Sequence, residues 1–286
     1  MNQQTLVSVI LSTFNREKYV KKAINSVLNQ TYKNIEIIIV DDCSSDGTLK
    51  IVSEYCNKDS RIIILKNEIN FGIPKSWNKG ITAAKGKYIA RLDDDDFWTD
   101  PKKLEKQVEF LNNNRDYILT GGGAIWIDKN GKEIFRYLLP ENDKDIKKYI
   151  LSDNCFVHST VVFRKRDWEK IGGYNEKFGQ DCDWALWLEL GKSGKFYNFP
   201  EYFTYYLKWE ENISNFNTRD ARDNMKNQIK LRYNYRNDYT GYLKSFFLGL
   251  TYYFFSFLPF RNTLKPILIK FKKIIFGKFP YNSKNR

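Results

Sequence analysis

The chain has 286 residues, enough for one large α/β domain with an appendage or for two modest domains. Hydrophobic residues make up 42% and aromatics 16%, which is ample for a core. The formal charge is +13, but nine Lys/Arg and no Asp or Glu fall within 239–286, which leaves +4 on 1–238. The basic excess is a C-terminal feature, and this argues against a nucleic-acid groove on the main domain. Four widely spaced cysteines (Cys43, Cys56, Cys155, Cys182) form no C-x-x-C pair, and a single histidine, His158, speaks against a His/Cys zinc site. No apolar run near Met1 is long enough for a secretory signal, so a reduced, cytoplasmic setting is expected.

Leu6–Leu11 is an apolar, β-branched run, the pattern of a buried parallel strand, and Ser12-Thr13-Phe14-Asn15 breaks it. Tyr19, Val20, Ala23, Ile24, Val27 and Leu28 recur at helical spacing through Glu17–Gln30. Ile35–Val40 predicts a second strand ending in the polar turn Asp41–Thr48. Helical spacing resumes from Leu49 to Tyr55, and Arg61–Leu65 predicts a third strand. This alternation predicts an α/β fold with a Rossmann-like, mainly parallel sheet, right-handed crossovers and flanking helices. Such sheets bind ligands outside the carboxyl ends of their strands, so Ser12–Asn15 and Asp41–Asp46 should line one crevice.

Pro74 suits the first turn of a helix through Ala84, and Lys87–Leu92 predicts the next strand. At its carboxyl end stand Asp93, Asp94, Asp95 and Asp96. Four adjacent carboxylates repel one another, and alone they read as a solvated acidic loop. On the same rim as the first two loops they read as a metal–diphosphate site, because hard divalent ions take oxygen ligands and share them with phosphates.

Asp100 and Pro101 predict the N-cap and first residue of a helix whose apolar face is Leu104, Val108 and Leu111. Tyr117–Ile127 predicts a strand in which Gly121-Gly122-Gly123 mark a bulge or a close backbone approach. Asp128–Gly131 is a hairpin turn signal. Ile146–Leu151 predicts a helix, His158–Phe163 a strand and Asp167–Ile171 a helix. A loop ending at Asp181-Cys182-Asp183 leads into a helix with Leu186, Trp187 and Leu190 on its apolar side, and Phe196–Leu207 alternates as a strand.

Asn212–Asn237 is polar and helical, and Ser245–Phe260 runs sixteen residues without a charge. A bilayer-spanning helix needs about 20 such residues. Residues 266–279 then alternate Ile, Leu and Phe with lysine. The expected role is a peripheral anchor on an anionic membrane surface. The alternative is a helical hairpin folded onto the main domain, or a dimer contact.

Val7–Arg16, Ser26–Tyr32, Ile39–Thr48, Asn70-Phe71-Gly72, Asn78, Ala84–Ile89 and Leu92–Asp96 together resemble the N-terminal half of family 2 glycosyltransferases. His158–Lys165, Gly172–Asn175 and Asp181–Leu190 resemble the second half, so the likeness spans about residues 6–207. It implies a GT-A domain over 1–209, with a nucleotide-sugar-binding half (1–115) and an acceptor-binding half (116–209). Residues 210–286 are left as a C-terminal helical region with a basic tail. It implies metal-dependent, inverting transfer from a nucleotide-sugar to a hydroxyl of a glycan or lipid-linked acceptor, at the inner face of the cell membrane.

By position, the resemblance puts Ser12 and Phe14 on the nucleotide base and Asp42 on the uracil N–H, which favours a UDP-sugar. Asp93-x-Asp95 matches the family's DxD element. Asp95 is the first choice as ligand to Mn2+ or Mg2+ and Asp93 the second, with Asp93 and Asp94 around ribose and diphosphate and Asp96 a structural acceptor. The family's general base is an Asp at the start of a helix. Counting back from Trp187–Leu190 gives Asp183, whereas reading the Gln180–Asp183 turn gives Asp181. Asp183 is preferred, and both stand as candidates. His158 and Trp184 are candidates near the acceptor or diphosphate, Trp126 is a candidate sugar-stacking ring, and Trp187 is expected in the core. Two other classes compete. A sugar-phosphate nucleotidyltransferase would need a Gly-rich loop after the first strand. A degenerate glycan-binding scaffold would be expected to have lost carboxylates.

Overall fold

A computed structural model describes residues 4–208 and 219–257. The first half reads β1 (Val7–Thr13), α1 (Val20–Leu28), β2 (Ile35–Asp41), α2 (Thr48–Cys56), β3 (Ile62–Lys66), α3 (Ile73–Ala83), β4 (Tyr88–Arg91), β5 (Phe97–Trp98) and α4 (Lys103–Asn113). The second half reads β6 (Tyr117–Ile127), β7 (Glu133–Tyr137), α5 (Asp143–Tyr149), β8 (Val162–Arg164), α6 (Lys165–Lys170), α7 (Cys182–Leu190), β9 (Lys195–Leu207), α8 (Arg219–Asn234) and α9 (Tyr242–Phe255). The strands form one sheet in the order β3-β2-β1-β4-β8-β6-β9-β5, with β7 hung on β6.

β1, β2, β3 and β4 pair in parallel, with Val9 opposite both Ile37 and Ala90. The side chains of β1, β2 and β4 are buried on both faces, as the continuous apolar runs predicted, while the edge strand β3 is mostly half-buried. Val9, Leu11, Ile37 and Ile39 pack with Ile24 of α1 and Leu104 and Val108 of α4. Ile10, Ile38 and Ile89 face the opposite layer, with Trp77 and Ile81 of α3 and Trp187 of α7. Beyond β4 the sheet is mixed: β8 runs antiparallel to β4 and β6, while β9 runs parallel to β6.

The structure corrects several expected boundaries. β1 does not stop at Leu11, because Ser12 and Thr13 keep pairing with Val40 and Asp41. The chain breaks at Asn15, where φ is +54°. Asp100 is not the cap of α4. It holds a preceding turn, accepting from the Lys102 N–H at 2.8 Å and from Lys106 Nζ at 2.8 Å, and the helix proper begins at Lys103. His158–Thr160 is a 3-10 turn rather than strand, closed by the Thr160 N–H and hydroxyl on the Val157 carbonyl, and pairing with β4 starts only at Val162. α7 is buried nearly all round rather than on one side.

The three glycines of β6 behave as expected. A Cβ on Gly122 would lie 2.4 Å from the Phe203 ring and one on Gly123 2.5 Å from the Tyr137 carbonyl oxygen, and the β6–β9 register shifts there. α8 and α9 pack on each other, and α8 also packs on the turn Glu176–Asp181. The expected segment 266–279 lies outside the described residues.

Candidate active site

The carboxyl ends of β1, β2 and β4 meet on one rim, because parallel pairing brings Thr13, Asp41 and the start of the Asp93–Asp96 run side by side. The first two loops are knitted together. Asn15 accepts from the Ser45 N–H at 2.8 Å, and Asp46 accepts from the Thr48 N–H at 2.9 Å and from its hydroxyl at 2.5 Å. Asn15 and Cys43 hold left-handed φ values of +54° and +68°, uncommon for residues with a Cβ and a sign that this rim is tightly constrained.

Ser12 sits on the rim, its hydroxyl accepting from Trp77 Nε1 at 2.8 Å. Phe14 is 39% exposed, and its ring is open to a planar partner. Asp42 is buried and heavily used. Its Oδ1 accepts from Asn67 Nδ2 at 2.7 Å and from the Phe71 N–H at 2.9 Å, and its Oδ2 accepts from the Gly72 N–H at 2.9 Å. The carboxylate thus pins the Asn70-Phe71-Gly72 turn to the end of β2. Oδ2 keeps acceptor capacity for one further donor.

The four carboxylates after β4 are not equivalent. Asp93 faces His158, with Oδ1 3.1 Å from Nδ1, and Oδ1 also accepts from Arg91 Nη2 at 3.2 Å. Burial pushes the Asp93 carboxyl up, but His158 and Arg91 outweigh it and bring it to about 2. Arg91 itself is fully buried. It donates to the Ile10 carbonyl at 2.6 Å and to His158 Nε2 at 3.3 Å, and its guanidinium lies 4.6 Å from the Trp77 ring centroid. Because Arg91 donates to Nε2, the imidazole proton sits on Nδ1, toward Asp93. The Tyr174 hydroxyl closes the set, 2.9 Å from Nε2.

Asp94 accepts from the Phe14 N–H at 3.3 Å and lies 3.6 Å from Arg16 Nε. Burial and the neighbouring Asp95 carboxylate raise it to about 7. Asp96 is buried and takes the Ser159 hydroxyl at 2.5 Å. Burial and the Asp95 and Asp93 carboxylates push it well above the usual range. It is a structural acceptor under the loop, taking the Ser159 hydroxyl on one oxygen and the Leu207 N–H on the other. Among the described residues no group of three or more His, Cys, Asp or Glu side chains is arranged to hold a metal ion. The oxygen donors present are hard, and they suit an ion held by one or two carboxylates and completed by phosphate oxygens.

Asp183 and Asp181 face different ways. Asp183 lies in the first turn of α7, its Oδ2 accepting from Asn154 Nδ2 at 2.8 Å and its Oδ1 from the Trp184 N–H at 2.6 Å. Burial raises its carboxyl, and the hydrogen bonds from the Trp184 N–H and Asn154 oppose that rise. Asp181 turns toward α8 instead. Its Oδ1 accepts from Gln228 Nε2 at 3.0 Å, and burial raises it to about 7.

Trp184 is buried, donating to the Ile150 carbonyl at 2.6 Å and covered on one face by Arg232 at 4.8 Å, so it presents no open ring to a sugar. Trp126 is sandwiched between Tyr206 at 4.7 Å and Phe135 at 4.8 Å. Trp187 is fully buried, as expected. Sequence reasoning passed over Arg91, Trp77, Tyr174 and Asn154 as site residues. Arg91 had a visible signal, a lone cation at the end of an apolar strand. Asn154 had none, because only the fold brings it to Asp183.

Residues 8–172 match the glycosyl transferase family 2 model. The chain belongs to that family. An uncharacterized glycosyltransferase of Methanocaldococcus jannaschii is 36% identical over 279 residues, covering 94% of each chain. A putative teichuronic acid biosynthesis glycosyltransferase, TuaG, of Bacillus subtilis is 36% identical over 197 residues, covering 68% of this glycosyltransferase and 75% of its relative. Among solved structures, S. aureus TarS 1–349 in complex with UDP-GlcNAc superposes with a TM-score of 0.68 at 19% identity, covering 96% of this chain and 81% of TarS. Mannosyltransferase PcManGT from Pyrobaculum calidifontis, in complex with GDP-Man and Mn2+, superposes with a TM-score of 0.62 at 14% identity, covering 98% and 78%. The glycosyltransferase has the GT-A fold that its family resemblance implied, with a mixed α/β sheet that is parallel through its first half, as the strand pattern predicted.

Proposed function

We propose that this glycosyltransferase moves a hexose or N-acetylhexosamine from a UDP-sugar to a hydroxyl of a glycan or lipid-linked glycan, with inversion. The observation that carries this reading is that two acids are held in different ways, Asp93 between His158 and Arg91 and Asp183 between Asn154 and the Trp184 N–H. Asp93 is held ionised by His158 and Arg91, while Asp183 is raised by burial and aimed by Asn154. A donor-side carboxylate should stay charged, whereas a general base works best with its pKa lifted toward the working pH. The TarS complexes with UDP and with UDP-GlcNAc support a uridine donor.

In this reading Phe14 and Ser12 receive the base and Asp42 Oδ2 accepts the uracil N–H. Asp93 and Asp94 bracket the ribose and diphosphate. Asp183 removes the proton from the acceptor hydroxyl as that oxygen attacks the anomeric carbon from the face opposite the diphosphate. Asn154 Nδ2 and the Trp184 N–H fix both carboxylate oxygens of Asp183, so the base arrives oriented. Asp95, with Asp93 beside it, would hold Mn2+ or Mg2+, which when bound neutralises charge on the departing diphosphate.

The reading extends to a place of work, the cytoplasmic face of an anionic membrane. α9 supports it by exposing Leu243, Phe247 and Phe254 along one face, with Phe257 just beyond its end. Among the described residues no helix is long and apolar enough to cross a membrane.

The deciding experiment is a screen of UDP-, GDP- and TDP-sugars with Mn2+, read as released nucleotide. Release from a UDP-sugar that disappears in Asp95→Ala and Asp183→Asn is the expected result. No release from any donor, and no UDP binding in calorimetry, would overturn the reading.

A further inference from the structure

The two chain segments that meet at Asp183 are both gripped by one helix from outside the matched 8–172 region. On one side, Arg232 of α8 donates through Nη2 to the Ser152 carbonyl at 3.0 Å, two residues before Asn154. On the other, its guanidinium lies 4.8 Å from the centroid of Trp184, the residue after Asp183. One turn earlier on α8, Gln228 donates to Asp181 Oδ1 at 3.0 Å, two residues before Asp183. The Ser152 hydroxyl is also bonded to the Ser245 hydroxyl of α9 at 2.7 Å.

Arg232 is only 3% exposed. Burying a guanidinium is costly unless charge and hydrogen bonds repay it. Here the nearby Asp153 carboxylate supplies opposite charge, and Asp181 adds to it when ionised. The same side chain therefore holds the 150–154 segment and the 181–184 segment at a fixed separation. The Asn154–Asp183 hydrogen bond spans that separation.

We infer that Arg232, assisted by Gln228, is a positioning residue for catalysis. The C-terminal helical pair is part of the active site, setting the orientation of Asp183 through the segments on either side of it. This rests on Asp183 being the base. No contact of Arg232 with substrate is invoked, so its effect should appear in turnover and not in donor binding.

The test compares Arg232→Met, which keeps length and stem but drops the fork, with Arg232→Lys and with Gln228→Ala, a partly exposed site where loss is mild. Each is measured in the wild-type and in the Asp183→Asn background. In the wild-type background, Arg232→Met should lower kcat by about ten- to a hundredfold, the size of a lost charge-assisted hydrogen bond. Donor KM and UDP affinity in calorimetry should stay within about twofold of wild type. Arg232→Lys should restore little, because an ammonium cannot bond Ser152 and stack on Trp184 at once. Gln228→Ala should lower kcat a fewfold. In the Asp183→Asn background neither change should reduce the residual rate further, because positioning an absent base has no value. Equal losses in both backgrounds would overturn the inference in favour of a general structural role. If Arg232→Met fails to fold, Gln228→Ala decides: unchanged kcat, or an equal loss in both backgrounds, overturns it. Wild-type turnover in Asp183→Asn alone would instead overturn the underlying assignment of the base.

Discussion

Asp93 Oδ1 lies 3.1 Å from His158 Nδ1, across a gap that 65 residues of chain separate. The pair joins the end of β4 to the 3-10 turn that precedes β8. Arg91 and Tyr174 complete it from the other side of the imidazole. The single histidine is therefore a buried strut behind a carboxylate, with the Trp77 ring 4.1 Å from its own.

His158→Ala should leave Arg91 with one partner fewer and free Asp93 to rotate. A charge-assisted hydrogen bond of this kind contributes about 1.5–3 kcal/mol. The expected result is a donor KM raised by roughly ten- to a hundredfold, with a lower Tm because a cavity opens beside Trp77. Steady-state kinetics against the donor and a thermal melt check both. An unchanged donor KM would remove Asp93 from the donor site.

The strands and the acidic rim were legible in the sequence because each is a local pattern. Ile35–Val40 is apolar at every position but one, and four aspartates at a strand end announce themselves. The missing parts depend on contacts between distant residues. Asp42 reads as a ligand contact in sequence, yet in the fold it also carries the Phe71 and Gly72 amides. Asp181 and Asp183 are two residues apart in one polar turn, and nothing local separates them. Only the packing of Gln228 against one and Asn154 against the other does so. The 3-10 turn at His158–Thr160 likewise hid in a β-branched run, because the Thr160 side chain bonds back to Val157 rather than extending the strand.

Asp181 should make stability fall as pH rises. Burial raises its carboxyl from 3.8 to about 7 in the folded chain, with Asp183 also pushing it up and Gln228 and Arg232 opposing. The folded state therefore holds a proton that the unfolded state releases. The resulting stabilisation is complete below about pH 4 and is lost as pH rises through about 7. Each pH step between the unfolded and folded pKa values removes on the order of 1.4 kcal/mol at most, and less because solvent reaches part of this carboxylate. Asp181→Asn removes this one contribution. Its Tm should decline less than that of wild type between pH 5 and pH 8, and identical slopes would refute the assignment.

Divalent metal binding should release protons in the same range. Asp94 sits at about 7 because it is buried beside Asp95. A cation arriving at Asp95 reverses that neighbour's effect and favours ionised Asp94. Calorimetry of Mn2+ with UDP in buffers of different ionisation enthalpy should show a proton leaving at pH 6 and almost none at pH 8. Apparent affinity should rise over that interval by up to about tenfold, the most that release of one proton allows per pH unit near the pKa. In Asp94→Asn the proton release should vanish. Release that persists unchanged there would place the titrating group elsewhere.

The exposed face of α9 provides the last prediction. Ser245, Leu248 and Gly249 are buried, whereas Leu243, Phe247 and Phe254 project from the opposite side. Residues 258–286 add eight Lys/Arg and no acid. Aromatic side chains at an interface and basic residues over anionic lipid act together, each basic residue contributing on the order of 1 kcal/mol close to the surface. The full chain should float with vesicles containing phosphatidylglycerol and remain behind with pure phosphatidylcholine. Salt at about 0.5 M should weaken the association, since screening shortens the reach of the basic residues. Phe247→Glu with Phe254→Glu should cut flotation at least tenfold while leaving turnover on a soluble acceptor near wild type, because neither ring touches Asp93 or Asp183. Equal binding to both vesicle types would rule out an electrostatic anchor, and undiminished flotation of the double variant would rule out this face.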